Sequence, residues 1–533
     1  MIALSYLEKL LNQAIQHQQR LASAENEAVH FYLAKMACQV GAVKALAQAV
    51  PAATPPQSST LSQLSALQIQ VALNFLRSKI SESPTDYGFT SLQEVYALGT
   101  DEKDHQKSQE PISLSQVVEL GKAVAGSGQV PEILLDENHA MIRDTFRKFA
   151  DSSVTPLAEK IHREDLLIPD TLIGQLRELG CFGLSIPETY GGFQSSNDPD
   201  ALGMILVTEE LSRGSLGVAG SLITRPEILA RALLKGGTEE QKKHWLPLLA
   251  SGEKMAAIAV TEPDFGSDVA GMRVTSTREA TGWRISGTKT WCTFAGRADV
   301  LVVLARTNPD MNLRHKGLSL FLVEKPVASG HSFHFEQKEG GTLEGRAIST
   351  IGYRGMHSFE VKFDRWLVPD SALIGGDAGL GKGFYLQMEG FAAGRLQTAA
   401  RANGLMHAAL EKAISYSNER MVFGKPVAQQ PASAQKLALM AAALLASRAL
   451  TYEAARRLEA PEGTMLAAMA KLYASQTAEW LTRDAQQLHG GMGYAEEYAV
   501  SRYFVDARVL SIFEGAEEVL AVKVIAPALL AKK

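Results

Sequence analysis

Two short stretches near the carboxyl end carry residues whose types and spacing can do chemistry. Gln487-Leu488-His489-Gly490-Gly491-Met492-Gly493 sets a pair of glycines where backbone amides can approach a phosphate closely, because no Cβ stands in the way. Twenty-seven residues after Gln487, Glu514 follows Ile512 and Phe513 and precedes Gly515. An acid with apolar neighbours suits a partly desolvated proton acceptor. Taken alone, Glu514 reads first as an acid capping the last helix. His489, beside the glycine turn, reads as a structural hydrogen-bonding residue rather than a proton donor.

Three further stretches change that balance. Ile258-Ala-Val260-Thr261-Glu-Pro263-Asp-Phe-Gly266-Ser267-Asp268 reads as a strand running into a turn. Pro263 and Gly266 set the backbone angles, while Thr261 and Ser267 offer hydroxyls and amides to a polar ligand. Thirty residues after Thr261 stands Trp291, within Ser286-Gly-Thr-Lys-Thr-Trp-Cys-Thr293. Its ring can cover a flat ligand whose polar edge the Thr293 hydroxyl reaches; by itself it reads better as a tryptophan packed in a hairpin core. Arg420-Met-Val-Phe423-Gly-Lys-Pro426 combines a planar guanidinium with an aromatic ring, a pair able to hold phosphate and adenine groups. Surface charge at a helix end is the plainer alternative there.

In order and spacing these motifs resemble the flavin-dependent acyl-CoA dehydrogenases over residues 136–533, with Ile351-Gly-Tyr-Arg-Gly-Met-His-Ser-Phe-Glu-Val-Lys-Phe363 and Val368-Pro369 matching the end of that family's β-domain. The resemblance implies an α+β fold: a helical domain, a central β-barrel-like domain and a C-terminal four-helix bundle. It implies FAD as cofactor and an acyl-CoA thioester as substrate, with Glu514 removing the α-proton while hydride leaves the β-carbon. Ile258, Val260, Thr261, Trp291 and Thr293 correspond to residues at the flavin ring, and Ser267 to one serving the cofactor phosphates and the CoA arm. Arg420, Phe423, Gln430 and the loop of Gln487, Leu488, Gly490 and Gly491 correspond to segments that reach the flavin of a neighbouring subunit, so a homodimer or homotetramer is implied. Ala516 and Glu518 stand near the adenosine where Thr and Gln are commoner. Phe391, Arg395 and Gly515 correspond to the substrate side, with Ala392 in place of a frequent acid. Gly394 occupies the position from which some branched-chain relatives supply their base, which leaves Glu514 as the candidate. The resemblance further implies an electron-transferring flavoprotein as partner; no nicotinamide fingerprint and no metal-ligand spacing is read.

The acyl group is addressed by a finer resemblance. A long amino-terminal extension together with Glu339-Gly-Gly-Thr-Leu-Glu-Gly-Arg346 and Phe391-Ala-Ala-Gly-Arg-Leu-Gln-Thr398 is similar to the methylsuccinyl-CoA dehydrogenases of the ethylmalonyl-CoA pathway. That implies conversion of (2S)-methylsuccinyl-CoA to mesaconyl-CoA. The free carboxylate of such a substrate needs a compensating cation when buried. Arg225, in Leu222-Ile-Thr-Arg-Pro226, is the candidate, with a surface arginine at a helix end as the alternative. Two rival readings are a dehydrogenase of ordinary short or branched acyl-CoA and a non-catalytic DNA-binding flavoprotein. A formal charge of -5 and the retained Glu514 speak against the second.

The elements that must position these residues follow from patterning. A chain of 533 residues is expected to fold as several packed units. Residues 1–135 read as a helical extension without a catalytic constellation. Val29, Leu33, Met36, Val40, Val43 and Leu46 recur at steps of three and four, and Leu64, Leu67, Val71 and Phe75 mark a further helix face. The proline-bearing stretch 51–60 reads as a linker and 100–111 as a solvated connector. Residues 136–255 read as helical, with Gly180 as a helix stop and Thr238 as a cap. Residues 256–378 carry short β-branched runs such as Val300-Leu-Val-Val-Leu304, and 379–533 return to helix. A mean hydropathy of -0.04 with no uninterrupted apolar run of spanning length argues against a membrane. No basic block invites nucleic acid. Cys38, Cys181 and Cys292, scattered and odd in number, fit a reducing compartment, and no secretory signal begins the chain, so a cytoplasmic location is expected.

Overall fold

The computed structural model describes residues 2–21, 26–50, 57–98, 112–195 and 199–531. The extension forms α1 (Ile2–Leu21), α2 (Glu27–Ala49), α3 (Gln57–Glu82), α4 (Leu92–Ala97) and α5 (Leu114–Ser127). Next come α6 (Glu137–Phe149), α7 (Thr155–Glu164), α8 (Asp170–Glu178), α9 (Ala201–Gly214), α10 (Thr224–Gly236) and α11 (Glu239–Ala250). The strands are β1 (Ala256–Ala259), β2 (Thr275–Glu279), β3 (Gly282–Thr293), β4 (Val300–Arg306), β5 (Leu318–Glu324), β6 (Ser332–Glu336), β7 (Thr342–Ile348) and β8 (Ser358–Val368). The long α12 (Gly383–Glu419) leads into a short hairpin of β9 (Met421–Val422) and β10 (Lys425–Pro426), then α13 (Pro431–Arg456), α14 (Gly463–Leu488), α15 (Ala499–Leu510), α16 (Glu517–Val519) and α17 (Ala526–Leu530). Helices and a mixed sheet thus realise the expected α+β class. Contacts divide the chain into two compact units, residues 146–394 and residues 1–145 with 395–533.

In the first of these units the strands run β1-β4-β2-β3-β8-β7-β6, with β5 on the free side of β4. β4 pairs parallel with β1 and β2, and the remaining pairs are antiparallel. Every residue of β4 is buried, as a continuous Val/Leu run demands of a central strand. Leu229 and Leu233 of α10 and Leu246 and Leu249 of α11 close a core over Val302 and Leu320 of the sheet. Thr238 caps α11 in a reciprocal box with Gln241, whose amide also donates to the carbonyls of Ser371 and Leu373 at 2.9 and 2.7 Å. Gly180 ends α8 at φ +71, where a Cβ would lie 2.5 Å from the Phe193 ring.

The other unit is helical. Its central element is α13, flanked by α14 and by α2, α3 and α5 of the extension. α5 and α13 approach so closely that a Cβ on Gly121 would stand 1.7 Å from the Ala434 carbonyl oxygen. All six stripe positions expected on α2 are buried. On α3 the core face is Leu61, Leu64, Leu67, Ala72, Leu76 and Ile80, so the expected Leu64 and Leu67 are buried, whereas Val71 and Phe75 are only partly buried. Steps of four rather than three carry that stripe past Phe75. The expected linker is also shorter than read: α3 begins at Gln57, directly after the last proline, and 51–56 lie outside the described residues, as does the whole connector 100–111; Ser113 then caps α5. Among the described residues one helix reaches spanning length and apolarity, α13, but 89% of that stretch is buried inside the protein. Alanine on all sides, not a lipid-facing surface, gives it that hydropathy. Cys38, Cys181 and Cys292 are free and buried.

Candidate active site

In the sheet unit a buried ion pair joins the Ile258–Asp268 stretch to the Ser286–Thr293 stretch. Lys289, fully buried on β3, donates to Glu262 Oε1 and to the Val260 carbonyl, both at 2.9 Å. The Glu262 carboxylate in turn accepts the amides of Arg273 and Val274 at 2.7 and 2.9 Å. Burial pulls the Lys289 ammonium below its ordinary value, and the Glu262 charge opposes that. Neither residue was singled out in the sequence, although a lysine between threonines in a β-branched run is the visible signal. Their effect is to hold the Thr261 turn against β3, where the Thr290 amide donates to the Thr261 carbonyl at 2.8 Å.

From that anchor β3 bulges. Its register against β8 shifts between Lys289 and Cys292, and Trp291 sits there at φ +58 with 55% of its surface exposed. A bulge re-aims one side chain, and here it turns an indole plane outward instead of into the core. The core reading of Trp291 is thereby excluded. Thr293, half-buried two residues on, shares a 2.9 Å hydrogen bond with Ser358. Thr261 is half-buried, Val260 buried, Ile258 half-buried on β1, and Ser267 exposed. The Glu339–Arg346 stretch is tied down by Arg284, which donates to the carbonyls of Glu339 and Arg365 at 2.7 and 2.8 Å.

Arg225 is no surface residue. It lies in α10 with 6% of its area exposed, Nε 3.3 Å from the Ser221 carbonyl and Nη2 3.2 Å from Thr224 Oγ1. Among the described residues no carboxylate pairs with it. The Ser221 hydroxyl, on the same turn, is buried and has no hydrogen-bond partner among the described residues. Phe391, on the part of α12 within this unit, is half-buried. Elsewhere in the unit Asp165, His331 and His357 bring ligand-type atoms within 4.8 Å of one another. Arg354 Nε, 3.6 Å from Asp165, already compensates that carboxylate.

In the helical unit Glu514 lies on the turn between α15 and α16, half-buried at φ +54, followed by Gly515 at φ +100. Its apolar wall is one-sided, because Ile512 is 55% exposed. The Phe513 ring has the buried Arg401 guanidinium 5.7 Å from its centre. Two buried cations face the turn. Arg395, on α12, is lowered from its usual range by burial, with the Glu514 charge opposing. Lys471, on α14 and fully buried, donates to the Gly515 carbonyl at 2.7 Å. Lys471 was not read from the sequence; a lysine inside Ala468-Met-Ala-Lys-Leu-Tyr-Ala is its signal.

The remaining positions divide: Phe423, Arg420, Gln487, Gly490, Gly491 and Glu518 are exposed, Gln430 and Ala516 are half-buried, and Leu488 is buried. Arg420 to Pro426 forms a two-residue hairpin, Phe423 at φ +49 and Gly424 at φ +75, which leaves Phe423 96% exposed. Arg420 itself is exposed directly after the end of α12, as the surface-charge alternative has it, while Phe423 stands on the hairpin tip. Gln430 caps its base, Nε2 donating to the Val422 carbonyl at 3.0 Å. Gln487 and Leu488 end α14, and nothing lies within 4 Å of a Cβ built on Gly490 or Gly491. His489 is buried, stacked on Tyr416 with ring centres 4.3 Å apart and bonded to the Ala485 carbonyl, a structural role. Ala516 precedes α16, and Glu518 is exposed.

Known proteins resemble this chain in sequence and fold. The descriptions of the acyl-CoA dehydrogenase N-terminal, middle and C-terminal domains match residues 136–253, 257–366 and 381–530. A (2S)-methylsuccinyl-CoA dehydrogenase of Cereibacter sphaeroides is 43% identical over 418 residues, 78% of this chain and 74% of that protein. Butyryl-CoA dehydrogenase of Megasphaera elsdenii superposes with a TM-score of 0.67 at 31% identity, covering 75% of this chain and all of the other. A glutaryl-CoA dehydrogenase of Mycobacterium smegmatis in complex with FADH2 superposes with a TM-score of 0.64 at 28% identity, covering 74% of this chain and 95% of the other.

Proposed function

The chain belongs to the acyl-CoA dehydrogenase family, an FAD-dependent oxidoreductase, and from that premise we propose that its substrate is (2S)-methylsuccinyl-CoA, oxidised to mesaconyl-CoA. The observation that carries the choice is Arg225: a guanidinium 94% removed from solvent, bonded to one carbonyl and one hydroxyl, and paired with no carboxylate among the described residues. A buried cation without a counter-charge is costly, and a free carboxylate on the acyl group supplies one. The spare Ser221 hydroxyl adds a neutral donor beside it. The methylsuccinyl-CoA relative supports the same acyl group.

The residues present fit FAD. Trp291 offers an outward aromatic plane, Thr261 and Thr293 hydroxyls suit the polar edge of a flat ring, and the open backbone at Gly490 and Gly491 suits a pyrophosphate. Bound FAD supplies the acceptor for the hydride released from the substrate β-carbon. Ile258 and Val260 border the Thr261 turn on its apolar side, and Ser267 is the exposed hydroxyl for the phosphates or the CoA arm. Phe423, Arg420, Gln430, Gln487, Leu488, Ala516 and Glu518 are assigned to the adenosine half. An aromatic ring almost wholly exposed on a hairpin tip suits a second copy of the chain, so these contacts are read as made across a homodimer or homotetramer.

Glu514 takes the α-proton. A thioester α-carbon is a weak acid, so the developing enolate charge must be met as the proton leaves; the Glu514 amide is the donor assigned to the thioester oxygen, and Phe391, Arg395 and Gly515 the substrate side of that site. Proton and hydride leave adjacent carbons, and a double bond forms between them. An electron-transferring flavoprotein is the partner assigned to take up the electrons that substrate oxidation releases.

A dye-linked assay of methylsuccinyl-CoA against butyryl- and isobutyryl-CoA tests the substrate. Methylsuccinyl-CoA is expected to have the highest kcat/KM; preference for either monocarboxylic thioester rejects the choice.

A further inference from the structure

The turn that carries Glu514 is held from behind. Glu514 and Gly515 occupy successive positive-φ positions, at +54 and +100. For glutamate the left-handed region is strained, and such a conformation persists only where the surroundings impose it. Backbone hydrogen bonds close the chain before the turn, Ile512 and Phe513 amides to the Val509 carbonyl, and after it, the Leu520 amide to the Ala516 carbonyl. Between them the Gly515 carbonyl accepts from Lys471 Nζ at 2.7 Å. A Cβ on residue 515 would lie 2.9 Å from the Leu520 side chain, so the turn also closes only around glycine.

Lys471 has no exposure at all, on a helix whose neighbouring positions Ala470 and Leu472 are buried apolar residues. An ammonium in that setting is expensive unless it is bonded and compensated. Its bond goes to the turn, and the charges that face it are Glu517 and Glu514 from the turn and α16, Glu479 from α14, and the like-charged Arg395 from α12. Gln476, one turn along α14, holds the Glu517 carboxylate at 2.6 Å.

We propose that Lys471 is a positioning residue for Glu514: its ammonium clamps the Gly515 carbonyl and so fixes the left-handed turn that presents the catalytic carboxylate. The proposal rests on the reading of Glu514 as the base. Because burial brings the Lys471 ammonium down to about 8, the clamp weakens in mildly alkaline solution, when a neutral amine replaces the charged donor.

The test uses the FAD-loaded full-length enzyme and its variants Lys471→Met, Lys471→Arg, Glu517→Gln and Glu514→Gln, with kcat and KM followed against pH, flavin content read from absorbance, and amide exchange followed for residues 512–516. For Lys471→Met the expected result is kcat down about tenfold to a hundredfold with KM little changed. Its flavin is retained and exchange at 512–516 is faster. Lys471→Arg, charged at every pH assayed, loses the alkaline fall of kcat near pH 8 that the parent shows. Glu517→Gln removes the first counter-charge and moves that fall to lower pH. An unchanged kcat in Lys471→Met, or an alkaline limb unmoved in Lys471→Arg, overturns the proposal. If the first two variants do not fold, an unmoved limb in Glu517→Gln overturns it. Glu514→Gln is the separate control: full turnover there rejects the base assignment itself, whereas a dead Glu514→Gln with indifferent Lys471 variants rejects only the clamp.

Discussion

Replacing Arg225 by glutamine removes the buried charge while keeping a polar group of similar reach. The guanidinium has five N–H donors, and its recorded bonds to the Ser221 carbonyl and Thr224 Oγ1 occupy only part of that fork. A carboxylate taking two of the rest in a bidentate pair makes two charge-assisted bonds, each of about 1.5–3 kcal/mol. Part of that returns in the variant, because glutamine still offers one amide donor. A net loss of about 3–4 kcal/mol remains, and at 1.36 kcal/mol per decade this is roughly a 10²- to 10³-fold fall in kcat/KM for methylsuccinyl-CoA. Butyryl-CoA, which has no second carboxylate, is expected to change by less than about threefold, or to improve, since its methyl end no longer faces a buried cation. The steady-state dye assay with both thioesters reads the ratio directly. Arg225→Lys is expected between the two, its point charge lacking the planar fork. Equal losses for both thioesters would show that Arg225 only props α10 against the Ser221 turn, and an unchanged ratio would refute the carboxylate assignment.

Three further perturbations probe other parts of the argument. Glu514→Gln, isosteric and uncharged, is expected to lower kcat by about 10⁴ while the protein still purifies with bound flavin, seen in its visible spectrum; turnover within tenfold of the parent contradicts the assigned base. Gly121→Ala places a Cβ 1.7 Å from the Ala434 carbonyl oxygen and must part α5 from α13, at a cost of about 1–3 kcal/mol or more; thermal melts should fall and limited proteolysis should cut the extension first. Lys325, buried with Nζ bonded to the carbonyls of Gly296, Ala298 and Pro326, is pushed by burial from 10.5 to about 8. Its folded pKa is the lower one, so between those values the unfolded chain holds a proton the folded chain has released. Stability relative to Lys325→Met therefore rises with pH across that window, by about 3 kcal/mol in all, and is flat below it; denaturant titrations from pH 7 to 11 on both proteins check the sign.

The helices and strands were legible where a single periodicity governs burial. The α2 stripe is one case, and the fully buried run of β4 is another. Legibility failed where the stripe changes step, as on α3, where Ala72 and Leu76 face the core in place of Val71 and Phe75. At the candidate site the motifs located the right turns but not their geometry. No spacing rule announces that Trp291, Phe423 and Glu514 all adopt positive φ, since that conformation is disfavoured locally and exists only because tertiary ties impose it. Those ties come from Lys289 and Glu262 behind the Thr261 turn, present in the motifs but given no role there, from Gln430 under the Phe423 hairpin, read only as a cofactor contact, and from Lys471 behind Glu514, outside every motif. In each case a buried or half-buried polar side chain bonds a backbone carbonyl of the displayed segment or the partner that holds it. Side chains meant for a ligand are thus held in strained, outward poses by polar groups committed inward. A charged residue inside an apolar run, Lys289 among β-branched neighbours or Lys471 among alanines, is for this reason a better pointer to a displayed turn than any residue in the turn itself.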